Sequence, residues 1–317
     1  MVGVLVFSWL IFPGETRLFK KGGLLKFNTA SETENVTLLL GGDIMLGRTV
    51  QNVIKTGNDN TYPFIRIADF LKSYNLVFVN LENPIIKNCP STSSGFKFCS
   101  SPESIESLKY GGIDIVNIAN NHTGNYGKPG FADTKNYLLD GGISYVGDGN
   151  LVIKKLSDEK IGFLGFDFTI NKPDQADYEL VKKSDSEVNI LIVAIHWGTE
   201  YKKDPNEYQR QWAKEFVENG ADIITGTHPH WVQGVDCVND GDWKYFNREL
   251  SDLELSKTKC EKIIFYSLGN LVFDQMWSEE TKKGLLVELS LGEDGMSEIK
   301  THKIYIEKIG QPIIVDK

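Results

Sequence analysis

The sequence has little basic charge, few cysteines and no long apolar run, and each scarcity excludes a class of protein. Its 317 residues include 34 lysines and arginines against 43 acidic residues, which gives a formal net charge of −9. Nucleic-acid-binding domains usually present a basic surface, so we expect no nucleic-acid partner. The sequence shows no repeat at solenoid or propeller periods and no low-complexity tract. Apolar residues make up 41% of the chain, which is typical of an ordinary globular protein.

A short apolar segment, residues 2–12, lies near the N-terminus. It has the length of a signal-peptide core but is shorter than the roughly 17–25 residues that a spanning helix needs. Lysine and arginine follow it rather than precede it, so three interpretations stay open: a shortened membrane anchor, an atypical signal peptide and a buried segment. We expect residues 1–21 to be a signal or anchor remnant, residues 22–35 a polar linker and residues 36–317 one domain.

Four cysteines flank two polar loops, and none of them forms a CxxC pair, so the zinc-ribbon spacing is absent. Cys89 and Cys99 bracket the first loop, and Cys237 and Cys260 bracket the second. This placement favours two disulfides, one across each loop, although four cysteines allow three pairings. Four free thiols are the alternative. Because disulfides form in oxidising compartments, the favoured pairing predicts an extracytoplasmic protein of the cell envelope.

Six apolar runs, each ending at polar residues or glycine, predict buried strands. They are residues 36–40, 76–79, 113–119, 190–195, 221–224 and 263–266. Segments with helical spacing lie between several of them, at residues 63–74, 102–110, 130–139 and 206–217. Continuous apolar strands that alternate with helices indicate an α/β domain whose sheets are covered by helices. Residues 284–291 and 299–306, joined by a glycine-flanked turn, predict a C-terminal β-hairpin.

Side chains that can bind metals follow five of the predicted strands. They are Asp43, Glu82, Asn121 with His122, His196, and His228 with His230, and they include four of the five histidines in the chain. Functional sites in α/β folds gather at the carboxyl ends of strands. We therefore predict a metal cluster of mixed oxygen and nitrogen ligands, suited to Mn, Fe, Zn or a mixed pair. Pro229 disfavours a central strand, so we expect His228 and His230 in a loop.

Six motifs, in order along residues 36–275, carry a family resemblance. They are Gly42-Asp43-Ile44-Met45-Leu46-Gly47-Arg48, Asn80-Leu81-Glu82, Asn120-Asn121-His122, His196-Trp197-Gly198-Thr199-Glu200, Gly226-Thr227-His228-Pro229-His230 and Tyr266-Ser267-Leu268-Gly269-Asn270. In these motifs the chain resembles the CapA-like poly-γ-glutamate capsule protein family (PGA_cap). That family belongs to the calcineurin-like metallophosphoesterase superfamily. The resemblance implies a metallophosphoesterase-like four-layer α-β-β-α sandwich.

The resemblance also implies a centre of two divalent metal ions. By position in the motifs, Asp43 and His230 would hold one ion. Asn121, His196 and His228 would hold the other. Such a pair of ions can clamp the oxygens of a phosphoryl or acyl group and acidify a shared water.

Two further positions take roles from the resemblance, and one departs from it. Glu82 stands where the superfamily usually has a bridging aspartate, and His122 would be the general acid. Met45 occupies the position of a ligand histidine in the Asp-x-His motif of the superfamily. We therefore expect weaker metal binding at the Asp43 and His230 site, or a water in the gap.

Three polar residues near these motifs have open or secondary roles. Arg48 would either hold an anionic group of the substrate with both guanidinium arms or be a solvated charge on the following helix. Asn270 follows a predicted strand and would hydrogen-bond to a ligand histidine. Asp274 is expected to be exposed.

Two functions compete at this stage. The first is an extracytoplasmic metal-dependent hydrolase for a phosphoester or amide bond in an anionic cell-surface polymer or its precursor. The second is a non-catalytic, metal-binding subunit of a membrane machine that makes or exports such a polymer, with other membrane subunits as partners. A purely structural metal site is disfavoured, because closed zinc sites usually use four cysteine or histidine ligands.

Overall fold

The first strand divides its side chains between two packing layers. The computed structural model describes residues 36–248, 258, 260–292 and 295–315. Within the strand Val36–Ile44, successive side chains point to opposite faces of the sheet. Leu38 and Leu40 pack in a cluster that includes residues of a second sheet, whereas Leu39 packs among helical residues. A strand that is apolar on both faces therefore lies inside a layered fold.

Strands and helices alternate through much of the described part of the chain. The strands are β1 (Val36–Ile44), β2 (Leu76–Leu81), β3 (Ile115–Asn117), β4 (Ser144–Val146), β5 (Val152–Leu156), β6 (Glu159–Asp167), β7 (Ile190–His196), β8 (Ile223–Thr227), β9 (Val235–Asn239), β10 (Asp242–Phe246), β11 (Lys262–Phe265), β12 (Asn270–Val272), β13 (Lys283–Gly292), β14 (Gly295–Lys308) and β15 (Gln311–Ile314). The α-helices are α1 (Arg48–Gly57), α2 (Ala68–Leu71), α3 (Ser104–Gly111), α4 (Gly127–Asp140), α5 (Gln175–Asp185) and α6 (Glu207–Glu218), and Thr123–Tyr126 and Glu280–Lys282 are 3₁₀-helical.

These strands form two sheets. The first has the order β15-β14-β13-β1-β2-β3-β4, and β12 also pairs with β1. The second has the order β10-β9-β11-β8-β7-β6-β5. β1 to β4 run parallel to one another, as do β6, β7, β8 and β11. β13 and β14 are antiparallel and extend the first sheet beyond β1, which confirms the predicted C-terminal hairpin.

Three apolar clusters separate four layers. The middle cluster joins the two sheets and contains Phe78 from the first and Phe163 from the second, whose rings meet edge to face. The cluster on the outer face of the first sheet includes residues of α1 to α4, and that on the second sheet includes residues of α5 and α6. The structure is therefore an α-β-β-α sandwich, and the predicted fold class is confirmed.

All six predicted strands are present, but one predicted helix is much shorter than expected. Residues 63–74 were expected to be helical, and only Ala68–Leu71 forms an α-helix. Before it, the N–H groups of Phe64 and Ile67 bond to carbonyls three residues back, which is the spacing of turns. Sequence reasoning also missed β6, in which Gly162 and Gly165 interrupt the apolar run.

Both favoured disulfides are present, Cys89–Cys99 and Cys237–Cys260. The predicted anchor or signal remnant at residues 1–21 and the linker at residues 22–35 lie outside the described residues. Among the residues that are described, no helix is long and apolar enough to cross a membrane.

Gly42 allows β1 to pass close to the chain that enters β12. The N–H of Asp43 donates to the carbonyl of Gly269 over 3.0 Å, and a Cβ added at Gly42 would lie 1.9 Å from that carbonyl oxygen. Only glycine fits this approach, which fixes the backbone that carries Asp43.

We predict that Gly42→Ala lowers the free energy of unfolding by about 1–3 kcal/mol or more, because the added methyl group overpacks against backbone. Gly57→Ala is the matched control, since a Cβ there meets nothing within 4 Å. Within a helix that change should be neutral or stabilise by up to about 1 kcal/mol. Urea denaturation measures both, and equal effects of the two substitutions would contradict the close approach at Gly42.

Candidate metal centre

Five strand ends, drawn from both sheets, carry the predicted ligand residues. Asp43 lies near the end of β1, Glu82 follows β2, Asn121 and His122 follow β3, His196 ends β7, and His228 and His230 follow β8. Because β1 to β3 are parallel and β7 is parallel to β8, these residues leave each sheet at its carboxyl edge. We call these seven residues the strand-end cluster.

One half of the cluster is organised around Asp43 and Glu82. Ligand atoms of Asp43, Glu82 and His196 all lie within 4.8 Å of one another. His230 lies between the two carboxylates, with Nδ1 3.3 Å from Asp43 Oδ2 and Nε2 3.7 Å from Glu82 Oε1. His122 approaches the same Glu82 oxygen with Nε2 at 3.6 Å.

The other half of the cluster is organised around His196. Its Nε2 lies 3.1 Å from Asn121 Oδ1, and its ring centroid lies 4.8 Å from that of His228. His228 Nδ1 is buried and has no hydrogen-bond partner among the described residues. The structure thus brings all seven predicted residues into one group, in which every member except the half-buried Asn121 is buried.

Glu82 is the member of the cluster whose buried carboxylate has no hydrogen-bond partner among the described residues to offset the cost of its burial. Its side chain is fully buried, and neither carboxylate oxygen has a hydrogen-bond partner in the described structure. Burial raises the pKa of Glu82 well above its ordinary value, and the neighbouring Asp43 carboxylate raises it further. An unpaired carboxylate in such a place is strongly unfavourable unless a cation or a proton compensates it. A divalent cation fits these residues, because it would satisfy both oxygens and the charge of Asp43.

Three of the surrounding histidines are in the neutral form that binds metals. Burial lowers the pKa of His122 and of His228 to about 4. Burial also lowers the pKa of His196 well below its ordinary value, and the nearby His228 and His230 rings lower it further. Near neutral pH these three imidazoles therefore carry no charge, and each keeps a lone pair on one ring nitrogen.

Hydrogen bonds orient two of the rings. His230 Nδ1 faces two oxygen acceptors, Asn270 Oδ1 at 3.0 Å and Asp43 Oδ2 at 3.3 Å, so we assign its proton to Nδ1. The expected bond from Asn270 to a histidine of the cluster is therefore present. His122 Nδ1 lies 3.2 Å from Asn125 Oδ1, an oxygen that also accepts the N–H of Phe98, so its proton is likewise on Nδ1. In both rings Nε2 is left facing Glu82.

A row of buried asparagines supports the cluster, and sequence reasoning gave them no role. Asn80 Nδ2 donates to Asp43 Oδ1 over 2.7 Å, and Asn117 Nδ2 donates to Asn80 Oδ1 over 3.0 Å. Asn120 Nδ2 donates to the carbonyl of Leu81 over 2.8 Å, beside Glu82. Asn80 and Asn117 lie inside apolar strands, and a polar residue in such a run was the available signal.

His228 and His230 lie in a loop after β8, as predicted, and both have left-handed backbone, with φ of 93° and 57°. Non-glycine residues in that region cost about 1–3 kcal/mol each and are found mostly at functional sites. The loop is held by the N–H of His228, which donates to Asp43 Oδ2 over 3.3 Å, and by the N–H of Tyr201, which donates to the carbonyl of Pro229 over 2.9 Å.

Arg48 lies beside the cluster as half of a buried ion pair. Its Nη2 donates to Asp274 Oδ1, and its Nη1 donates to the carbonyl of Gly95 over 2.9 Å. The side chains of Arg48 and Asp274 are 11% and 5% exposed. The interpretation of Arg48 as a solvated charge is therefore wrong, as is the expected exposure of Asp274. The pair forms because both groups are excluded from water and each supplies the other's counter-charge.

Met45 packs into the core instead of extending the cluster. Its side chain is fully buried among the residues under α1, and its sulfur accepts the N–H of Gly47 over 3.1 Å. The thioether is thus engaged on the helical side of the sheet, at the position where the superfamily has an imidazole.

A two-sheet sandwich that gathers acidic, amide and imidazole groups at its strand ends is the metallophosphoesterase-like fold. A crystal structure described as a novel phosphatase from Mycoplasma pneumoniae has the same fold, with a TM-score of 0.54, 15% sequence identity, and coverage of 86% of this chain and 94% of that one.

Within that class, the family model for the bacterial capsule synthesis protein PGA_cap matches residues 37–275, and the chain belongs to this family. The capsule biosynthesis protein CapA of Bacillus anthracis is 30% identical, with coverage of 89% of this chain and 70% of that protein. The PGA biosynthesis protein CapA of Bacillus subtilis is 31% identical, with coverage of 84% and 70%.

We predict that Glu82→Gln has opposite effects with and without metal. In protein stripped by a chelator, the change should raise the free energy of unfolding at pH 7.5 by about 1–3 kcal/mol, because it removes an unpaired buried charge. The pKa of Glu82 is raised on folding, so the folded state binds the extra proton and this gain should shrink as pH falls toward 4.5.

Metal should reverse the order of the two proteins. At 1,000 times its dissociation constant, Mn²⁺ or Zn²⁺ should stabilise the wild type by about 4.1 kcal/mol and the variant by much less, which exceeds the advantage of the variant without metal. Urea denaturation of each protein, once with chelator and once with metal, measures the four free energies of unfolding. An equal metal-induced gain in both proteins would exclude Glu82 as a ligand.

Proposed function

We propose that the chain is a metal-dependent hydrolase of the cell envelope that cleaves a phosphoester or amide bond. Its substrate would be an anionic cell-surface polymer, such as poly-γ-glutamate, or a precursor of that polymer. The observation that carries this proposal is the buried Glu82 carboxylate, which lacks a hydrogen-bond partner in the described structure and faces Asp43, His122 and His230. The names of the CapA relatives supply the polymer class, and two disulfides favour an oxidising compartment.

The cluster offers ligands for two divalent ions, Mn, Fe or Zn. We assign Asp43 and His230 to one ion and Asn121, His196 and His228 to the other. Glu82 would be shared between them, because its ligand oxygen lies within 4.8 Å of ligand atoms of both Asp43 and His196. When bound, such ions would polarise the scissile group and acidify a water. Asn80 and Asn270 would hold their neighbours Asp43 and His230 in the orientation for binding.

His122 is proposed as the proton donor to the leaving group. Asn125 holds the proton on Nδ1, so Nε2 is the nitrogen that faces Glu82 and the interior of the cluster. Burial gives the imidazole a pKa of about 4, which leaves it neutral at pH 7. An anionic substrate beside Nε2 would favour the imidazolium and raise that pKa, so the acid would form when the substrate binds.

Arg48 is proposed to stabilise negative charge beside the cluster. Its positive charge lowers the pKa of Glu82, which supports an electrostatic role beside the cluster. Each terminal nitrogen of Arg48 already donates one hydrogen bond, to Asp274 or to Gly95. A bidentate hydrogen bond to the substrate would have to compete with these two bonds. We therefore assign Arg48 an electrostatic part rather than the bidentate grip considered from the sequence.

One observation favours the second candidate function, a non-catalytic metal-binding subunit of a membrane complex for polymer synthesis or export. Met45 is engaged in the core at a position where the superfamily has a ligand imidazole. A site with fewer ligands binds its ion less tightly. In this account the cluster would support assembly with the other subunits, and polymer production would not require turnover.

We predict that His122→Asn reduces kcat about 10²–10⁴-fold, the usual contribution of a general acid, and leaves metal content unchanged. Hydrolysis of diphenyl phosphate and of γ-glutamyl oligomers with Mn²⁺ or Zn²⁺ measures it, whereas the loss on bis(4-nitrophenyl) phosphate, whose leaving group needs no proton, should be small. His302→Asn is the matched control, because His302 contacts Glu288 outside the cluster, and its rates should stay within about twofold of wild type.

Full turnover of every substrate by both Glu82→Ala and His228→Ala would refute the hydrolase. His122→Asn, which should keep the metal, would favour the assembly role if it lacks turnover and still restores polymer production in a deletion strain. If it restores none, the assembly role fails.

A further inference from the structure

The loop closed by the Cys89–Cys99 disulfide, residues 89–99, is tied to the start of α1. Asn52 Nδ2 donates to the carbonyl of Thr92 over 2.8 Å, and Arg48 Nη1 donates to that of Gly95 over 2.9 Å. At the base of the loop, Gln51 Oε1 accepts the N–H of Ser101 over 2.7 Å. Helix α1 therefore holds the loop at both its tip and its base.

The Cys99 end of the loop lies against the segment between Asp43 and α1. A Cβ added at Gly47 would lie 2.4 Å from the carbonyl oxygen of Cys99. The next residue, Ser100, exchanges backbone hydrogen bonds of 2.9 Å with Pro84 and Ile86, just after Glu82. The loop thus returns to the rim of the strand-end cluster.

The backbone of Phe96 hydrogen-bonds to the His122 imidazole, and Phe98 is the loop residue whose side chain reaches it. Its side chain is 2% exposed, whereas Phe96 in the same loop is 76% exposed. The Phe98 ring stacks on the His122 imidazole with 3.8 Å between centroids and 25° between planes. Its N–H donates over 2.6 Å to Asn125 Oδ1, the oxygen that also holds His122 Nδ1. The Arg48 guanidinium lies 4.4 Å from the centre of the same ring.

We propose that the 89–99 loop is a clamp that positions His122, with Phe98 as the positioning residue and the disulfide as the closure. This inference rests on the proposed function, because it assigns the clamp to the proton donor of that reaction. The ring and the backbone of Phe98 both act on His122, and the residues between Cys89 and Phe98 are mostly polar and exposed. Opening the disulfide frees those residues to adopt many conformations, and the stacked geometry is then one among them.

The loop contributes no member of the strand-end cluster, so the clamp should affect proton donation and spare metal binding. The second disulfide provides a matched control. Cys237 lies in β9 and Cys260 lies just before β11, and these strands are already paired by backbone hydrogen bonds.

The test compares Phe98→Ala with Phe96→Ala, and Cys89→Ser/Cys99→Ser with Cys237→Ser/Cys260→Ser, in the full chain. Two probes differ in their need for an acid: 4-nitrophenolate leaves bis(4-nitrophenyl) phosphate without a proton, whereas phenolate leaving diphenyl phosphate needs one. We expect Phe98→Ala and the Cys89/Cys99 variant to lose on the order of tenfold or more in kcat on diphenyl phosphate, part of the roughly 10²–10⁴ that a general acid supplies. Loss on the nitrophenyl probe should be small, with metal content and KM unchanged.

Restored turnover on diphenyl phosphate by Phe98→Tyr, which keeps the ring, would support the stacking role. An equal loss on both probes would mean that the loop only maintains the fold, and would overturn the clamp. So would equal losses in the two disulfide variants.

A second readout does not depend on turnover. The His122 imidazole protons, assigned in the NMR spectrum by comparison with His122→Asn, should be shifted by the Phe98 ring. That shift should disappear in Phe98→Ala and the Cys89/Cys99 variant, and persist in both controls. An unchanged His122 signal in those two variants would overturn the clamp. If the wild type hydrolyses no probe, the proposed function fails, and the His122 signal alone decides whether the clamp exists.

Discussion

The burial of two neighbouring carboxylates, Asp43 and Glu82, is the constraint on which the rest of the site depends. Asp43 is compensated by the amide of Asn80, the N–H of His228 and the imidazole of His230. Glu82 receives no hydrogen bond within the described structure. Excluding two such charges from water costs several kcal/mol per ion unless opposite charge compensates them. The neutral imidazoles of His122, His196 and His228 supply lone pairs rather than charge, which suits a divalent cation.

The packing of the two sheets brings the residues around these carboxylates together. Within each sheet, the carboxyl ends of the parallel strands lie at one edge. Residues at or just after the ends of β1 and β2 in one sheet meet those at or just after the ends of β7 and β8 in the other because the two sheets pack face to face. The backbone contact at Gly42 fixes the exit of β1, and the left-handed residues His228 and His230 turn the β8 loop back over Asp43. The backbone strain at His228 and His230 therefore lies where the side chains of the cluster converge.

Much of this was predictable from the sequence, and the reasons are specific. A buried parallel strand is an uninterrupted apolar run, so the ends of β1, β2, β7 and β8 and the residues that follow them stand out. The family resemblance supplied the proposed division of ligands between two ions and the proposed role of His122. What escaped prediction depends on tertiary contacts. Arg48 and Asp274 pair across 226 positions of sequence, and Phe98 lies in a polar loop with nothing to mark it as the partner of His122.

Whether the strand-end cluster is a two-metal centre is decided by the metal content per chain, measured by elemental mass spectrometry on protein purified without chelators or a histidine tag. We predict about two Mn, Fe or Zn ions per chain in the wild type. Glu82→Ala should lower that number, because the carboxylate faces residues assigned to both ions. One ion per chain would mean that the core position of Met45 has cost the Asp43 and His230 site its ion. A wild type that holds no metal even after soaking with Mn²⁺, or a content that Glu82→Ala leaves unchanged, would contradict the account.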